Sequence, residues 1–213
     1  MKKAAAKKPR GLTPADRRRA ANHLRKVDPV MERIVSRVGA CSLEVDRRLG
    51  SFAYLMAAIV HQQITGKAAA SICKRLCTLN RGRWPRPEQI AAASDEQLRA
   101  CGLSRQKISY LRDLAAHAAS GTSLNRLARL PDEEVIEALT AVRGIGRWTA
   151  EMYLMFRLGR PDVLPVDDLG VRKAMQLAYR RRALPKADWM RRTAESWRPW
   201  RTVASWYLWR SLA

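Results

Sequence analysis

The sequence predicts an all-α fold, and three features predict it. No stretch keeps the every-second-residue alternation of a half-buried strand, whereas apolar residues recur at spacings of three and four along most of the chain. A proline-and-acid start at Pro131-Asp132-Glu133-Glu134 and a Gly144-Ile145-Gly146 break divide residues 131–158 into two helices joined by a tight turn, a helix-hairpin-helix. With 213 residues, 47% of them hydrophobic, the chain suffices for one compact domain or for two small lobes sharing a cleft.

Taken in order, residues 1–10 place Lys2, Lys3, Lys7, Lys8 and Arg10 around a short alanine run, which reads as a basic, flexible tail without the apolar region of a secretory leader. Residues 11–213 are expected to form the folded domain. No apolar run approaches the roughly 20 residues needed to cross a bilayer, so a cytoplasmic protein without membrane contact is expected, nucleoid-associated if bacterial. Residues 13–38 read as one helix or a helix pair, with Leu24, Val27, Val30, Ile34 and Val38 on the apolar side. In residues 51–79 a core face of Phe52, Leu55, Met56, Ile59 and Val60 is interrupted by the polar knot His61-Gln62-Gln63-Ile64-Thr65 before helix resumes. Trp84-Pro85-Arg86-Pro87 marks a turn, and residues 90–98 read as a short helix. Ser104 caps a helix over 105–119 that buries Ile108, Leu111, Leu114 and Ala115, and Gly121-Thr122-Ser123 breaks the chain after it.

In the hairpin, Val135, Leu139 and Val142 supply the apolar stripe of the first helix, which is expected to stop at Arg143-Gly144. Gly146 supplies a turn conformation, and the second helix runs from Arg147 to about Leu158. A tight glycine turn of this kind directs backbone N–H groups outward, where a phosphate can sit on them and on the helix dipole. Beyond it, Leu164-Pro165-Val166 favours extended chain before Asp167-Asp168, and the residues that follow are helical. The Asp pair therefore lies at a helix N-terminus, one of the two as N-cap. Trp197 and Trp200 read as core packing, and the last helix is expected to pack on the first ones.

Forty-one Lys and Arg against nineteen Asp and Glu leave a formal charge of +22, so the expected partner is a polyanion, nucleic acid first. Charge bounds the partner and says nothing of chemistry. Cys41, Cys73, Cys77 and Cys101 offer no Cys-x-x-Cys and no His at zinc spacing, and read as buried thiols.

Gly144-Ile145-Gly146-Arg147-Trp148-Thr149-Ala150, followed by Leu164-Pro165-Val166-Asp167-Asp168, resembles the helix-hairpin-helix, Gly-Pro-Asp signature of base-excision DNA glycosylases, within them the alkylation-repair branch, DNA-3-methyladenine glycosylase II. The resemblance extends from about Ser51 to the end, and includes Gly102-Leu103-Ser104 with Lys107, Tyr110 and Leu114. It implies a two-lobed all-α fold with a cleft between lobes and no amino-terminal β domain. Asp168 falls at the catalytic carboxylate. Gln63, with His61 and Gln62 beside it, falls where a side chain fills the gap left by an extruded nucleotide. The amides of Gly144 and Gly146, with Arg147 and Thr149, fall on phosphates, Lys107 near backbone phosphate, and the carbonyls of Thr140, Val142 and Ile145 on a monovalent Na or K ion. Trp148 and Trp209 are implied as the aromatic base pocket. Met152 and Leu169 stand where relatives place further aromatics, and Tyr153 is either core or pocket. Relatives with an iron–sulfur cluster carry four cysteines after the catalytic Asp, whereas no cysteine follows Cys101 here, so no cluster is expected and no catalytic cofactor.

Cleaving an N-glycosidic bond builds oxocarbenium character on the sugar, which one carboxylate can stabilise. An N-alkylated purine is already cationic and leaves without a general acid. Where glycosylase/lyases of the superfamily carry an amine nucleophile this chain has Trp148, which cannot form a Schiff base but can hold a cationic ring on its π-face. The expectation is a monofunctional glycosylase, acting as a monomer on alkylated purines such as 3-methyladenine in double-stranded DNA by base flipping. A glycosylase for another damaged or deaminated base, or a noncatalytic DNA-binding hairpin protein, stays open.

Overall fold

The computed structural model describes residues 11–120, 124 and 126–212. The basic stretch 1–10 and the Gly121-Thr122-Ser123 break lie outside the described residues. Twelve α-helices and no strand are found among the described residues. The chain divides into two units, one drawn from both ends of the chain, up to Val45 and from Leu154 onward, the other from Asp46–Tyr153.

The first unit begins with α1 (Pro14–Val27) and α2 (Pro29–Val38), so residues 13–38 form the helix pair. The break between them is Asp28, an N-cap whose Oδ1 accepts from the amides of Val30 at 2.8 Å and Met31 at 3.3 Å. Its other oxygen accepts from Trp197 Nε1 at 2.9 Å and from the Tyr179 hydroxyl, so this buried carboxylate is satisfied on both sides.

The second unit holds α3 (Ser51–His61), α4 (Gly66–Thr78), α5 (Pro87–Ala92), α6 (Asp95–Ala100), α7 (Arg105–Ala119), α8 (Asp132–Thr140) and α9 (Arg147–Met152). Three of these, α3, α5 and α6, pack on α7, whose Ile108, Leu111, Leu114 and Ala115 are buried. The single helix expected over 90–98 is instead two. Ser94 accepts from the amide of Gln97 at 3.2 Å while its own amide donates to Gln97 Oε1 at 2.8 Å, a capping box that starts α6 and ends the run from Pro87. Of the four thiols only Cys101 is buried, the other three being partly exposed. In the hairpin α8 ends at Thr140, and α9 continues as a π-helical turn, Tyr153–Leu158, so the second helix has the expected span with a wider last part.

Back in the first unit, α10 (Leu169–Ala178), α11 (Ala187–Thr193) and α12 (Arg201–Arg210) complete the core. Seven consecutive residues of α12, Thr202 to Leu208, are buried, the pattern of a helix covered on all sides. It packs on α1 and α2, as expected of the last helix, and also on α10. Trp197 is fully buried in that core, and Trp200 packs against it.

Candidate active site

In the second unit the hairpin turn is shaped by two glycines with different duties. Gly144 has φ +82°, and a Cβ there would lie 2.2 Å from the ring of Tyr110, so both conformation and packing demand glycine. Gly146 is the N-cap of α9 with φ −89° and ψ 172°, extended backbone open to any residue, and a Cβ would meet nothing within 4 Å. Its lack of a side chain leaves an exposed, uncapped helix start rather than relieving strain.

Arg147 is not turned outward alone. It bonds Glu133 through Nη2 at 2.7 Å and Nη1 at 3.1 Å and reaches Glu151 from Nε at 3.2 Å, tying α8 to α9. These carboxylates raise its pKa further above the ordinary arginine value. Thr149 is 7% exposed. Lys107 also points inward: its ammonium donates to the carbonyls of Val60 at 2.7 Å and Gln62 at 2.8 Å, capping the end of α3, and burial lowers its pKa. The amide of Arg143 donates to Asp113 Oδ2 at 2.8 Å, and the carbonyl of Val142 accepts from Ile145 at 3.1 Å.

Gln63 stands exposed at the turn between α3 and α4 with φ +56°, a left-handed conformation that costs a non-glycine residue. Its neighbour supplies the restraint. Gln62 Nε2 donates to the carbonyl of Gly144 at 2.8 Å, while the Gln62 carbonyl is held by Lys107. One residue thus links the polar knot, the hairpin and α7. Alongside lies a cavity of about 410 Å³ between Tyr54 and Ala58 of α3 and Trp148 and Met152 of α9, with His61, Gln62 and Gln63 at its end. Trp148 is 47% exposed there. Tyr153, by contrast, is fully buried, donating to Ser51 Oγ at 2.8 Å, and so belongs to the core. Tyr54 and Ala58 were not among the expected residues, although with His61 they recur at i, i+4, i+7 on the face of α3 opposite its apolar stripe.

In the first unit Asp168 is the N-cap of α10 and is 9% exposed. Its Oδ1 accepts from the Val171 amide at 2.8 Å and from Trp209 Nε1 at 2.8 Å. Gly170 makes this possible, since a Cβ there would lie 2.9 Å from the indole and 3.1 Å from the carboxylate oxygen. Phe156, missed in the sequence, lies 5.9 Å from the Trp209 ring. Asp167 is exposed, and Leu169 is 64% exposed beside the carboxylate. Asp28 too is a buried N-cap bonded to an indole, so what sets Asp168 apart is the large apolar side chain of Leu169 left in solvent beside it.

Residues 56–199 match the family model described as HhH-GPD superfamily base excision DNA repair protein. DNA-3-methyladenine glycosylase 1 of Schizosaccharomyces pombe is 37% identical over 191 residues, covering 87% of this chain and 83% of that protein. Among solved structures, an S. pombe 3-methyladenine DNA glycosylase in complex with abasic DNA superposes with a TM-score of 0.75 at 35% identity, covering 91% of this chain and 96% of the other. A DNA-3-methyladenine glycosidase from Bacillus halodurans gives 0.81 at 35% identity, with coverage of 90% and 88%. With the hairpin, the capped Asp168 and these likenesses together, the chain belongs to the HhH-GPD superfamily of base excision DNA repair proteins.

Proposed function

We propose that this protein is a DNA glycosylase that hydrolyses the N-glycosidic bond of alkylated purines, 3-methyladenine among them, in duplex DNA and leaves an abasic site without cutting the strand. The observation that carries this reading is Asp168, whose Oδ1 is held at 2.8 Å by two donors. A carboxylate oriented by a helix amide and an indole N–H needs no reorganisation to stabilise positive charge growing on a sugar, which is where electrostatic catalysis gains most. Because the alkylated base is already a cation, it departs neutral and no second proton donor is needed.

The second unit is assigned to gripping DNA. The uncapped start of α9 at Gly146 suits a phosphate approaching backbone amides. Arg147 and Thr149 act there as frame rather than fingers, one tied to Glu133 and Glu151, the other buried. Lys107 likewise supports the Gln63 turn instead of touching phosphate. Gln63 is the wedge that fills the stack when the base is extruded, which costs a few kcal/mol, least for damaged bases. Trp148 offers a partly exposed π-face to a cationic ring, a contact of about 0.5–2 kcal/mol. The carbonyls of Thr140, Val142 and Ile145, neutral oxygens on one turn, suit a Na or K ion, which would neutralise charge between the turn and a phosphate. The protein acts as a monomer in the cytoplasm or nucleoid.

Methylated duplex DNA tests the reading. The wild type releases 3-methyladenine, strand breaks appear only after hot alkali, and Asp168→Asn loses about 100-fold or more in rate. Absence of release together with tight binding would leave a glycosylase for other lesions, tested on a deaminated-base panel, and silence across that panel would leave a binding protein.

A further inference from the structure

We propose that the turn joining α10 to α11 is a second contact for the DNA backbone, set apart from the hairpin and carried on the same helix as Asp168; it rests on the reading that duplex DNA is the substrate. Arg180, Arg181 and Arg182 are all exposed, as are Lys186, Arg191 and Arg192 after them. The acid of α11, Asp188, pairs with Arg191 at 3.1 Å, and among the described residues no ion pair holds Arg180, Arg181 or Arg182. Six cations against one acid over 180–192 is a local excess beyond that of the chain as a whole.

The turn is braced rather than loose. The amide of Arg180 donates to the carbonyl of Leu177 at 3.2 Å and that of Arg181 to Gln176 at 2.9 Å, while Gln176 Nε2 returns a bond to the carbonyl of Arg182 at 3.3 Å. Arg172, on α10, donates to the carbonyl of Pro185 at 3.3 Å. The Arg181 guanidinium lies over the Trp189 ring at 4.2 Å from its centroid, and Trp189 meets Tyr179 edge-on at 5.4 Å. Arg180, at φ +52°, is the left-handed residue that ends α10, with the amide of the next residue bonded back to Gln176. Cations near a helix C-terminus are favoured by its dipole, but that effect fades within the last turn and gives no reason for three in succession on an aromatic-backed turn.

The helix supplies the scale. The ten residues of α10 span about 15 Å, which equals some four to five base-pair rises of 3.4 Å. With α10 running along the duplex, DNA whose damaged nucleotide reaches Asp168 has phosphates within range of this turn only if it continues about five base pairs past the lesion. Guanidinium groups suit those phosphates, and such contacts position without reading sequence.

The test is the salt dependence of binding for wild type and Arg180→Ala/Arg182→Ala, with Arg181 kept so that its stacking on Trp189 survives. Two duplexes with a central abasic-site analogue are used, one with ten base pairs on each side and one with three. On the long duplex the slope of log K against log salt is expected to fall by about 1.8, so that the affinity lost between 50 and 200 mM salt shrinks by about 12-fold. On the short duplex the two proteins should give the same slope. Equal slopes on the long duplex overturn the proposal, as does an equal fall on both, or a change seen with duplex RNA and not with DNA. Base release by the wild type from methylated duplex DNA is scored separately. A wild type that binds with the predicted slopes yet releases no base would refute the glycosylase reading while upholding this one.

Discussion

Replacing each hairpin glycine by alanine should separate two kinds of requirement. At Gly144, φ +82° costs an alanine about 1–2 kcal/mol, and its Cβ would sit 2.2 Å from Cδ2 of Tyr110, far inside van der Waals contact. Moving that ring, which Gln106 holds through a 2.6 Å bond to the hydroxyl, adds about 1–3 kcal/mol of overpacking. Gly144→Ala is thus expected to lose about 2–5 kcal/mol, some 10 °C in Tm for a chain of this size. Gly146→Ala meets open space in an ordinary conformation. A poorer N-cap costs about 0.5–1 kcal/mol, and lower chain entropy in the unfolded state returns much of it. Urea unfolding followed by circular dichroism reads the stabilities, and fluorescence anisotropy with an abasic duplex reads binding. Gly146→Ala should keep the wild-type midpoint yet bind DNA less tightly, because on the proposed function its methyl group would stand where a phosphate approaches the amides. A wild-type midpoint for Gly144→Ala, or equal destabilisation of both, would refute the reasoning.

Lys107→Met removes the donor from two carbonyls at the end of α3 and should cost about 1–3 kcal/mol; with 2-aminopurine placed beside the lesion, its slower fluorescence rise would report a misplaced Gln63, whereas an unchanged rise would deny the clamp. Trp148→Ala, at a site 47% exposed, should leave the urea midpoint within about 1 kcal/mol while lowering kcat/KM for cationic 3-methyladenine by up to about 30-fold, and for a neutral base such as hypoxanthine far less. Burial pushes the Tyr207 hydroxyl up to about 12 from 10.0. Between those values the unfolded chain has released a proton that the folded chain keeps, so stability should fall as pH rises from about 10 to 12, by at most about 1.4 kcal/mol per pH unit for this group. Tyr207→Phe should flatten that decline in urea titrations, leaving a slope to which Tyr179, raised in the same direction by burial and by Asp28, and the four thiols, raised by burial, contribute.

The hairpin was legible because its signals are local: Pro131 with three acids, then two glycines, are read by adjacent backbone. That one acid of the pair Asp167-Asp168 caps α10 was legible for the same reason, while which of the two does so was left to the structure. Ser94 followed by Gln97 carried an equally local signal, a capping box, but the apolar residues Ile90 and Leu98 on either side of it suggested one helix. Partners distant in the chain left no such trace. Nothing in the sequence says that Arg147 faces Glu133, that Lys107 reaches carbonyls more than forty residues away, or that Asp168 receives the Trp209 indole. Residue type alone suggests phosphate for any arginine or lysine near such a motif, and only packing decides whether the charge is used inward. The π-helical turn and the place of Phe156 within it belong to the same class of fact.

The interrupted composition of the first unit bears on how the chain is made. Residues 46–153 are contiguous, so that unit can condense as soon as it clears the ribosome. The unit bearing Asp168 cannot, because α1 and α2, which pack on each other, also pack on α12, some 170 residues later. Long-range closure of this kind is slow. A nascent chain therefore acquires its hairpin well before its carboxylate is seated, and on the proposed function a ribosome stalled shortly before Arg201 would display a protein able to hold DNA and unable to act on it.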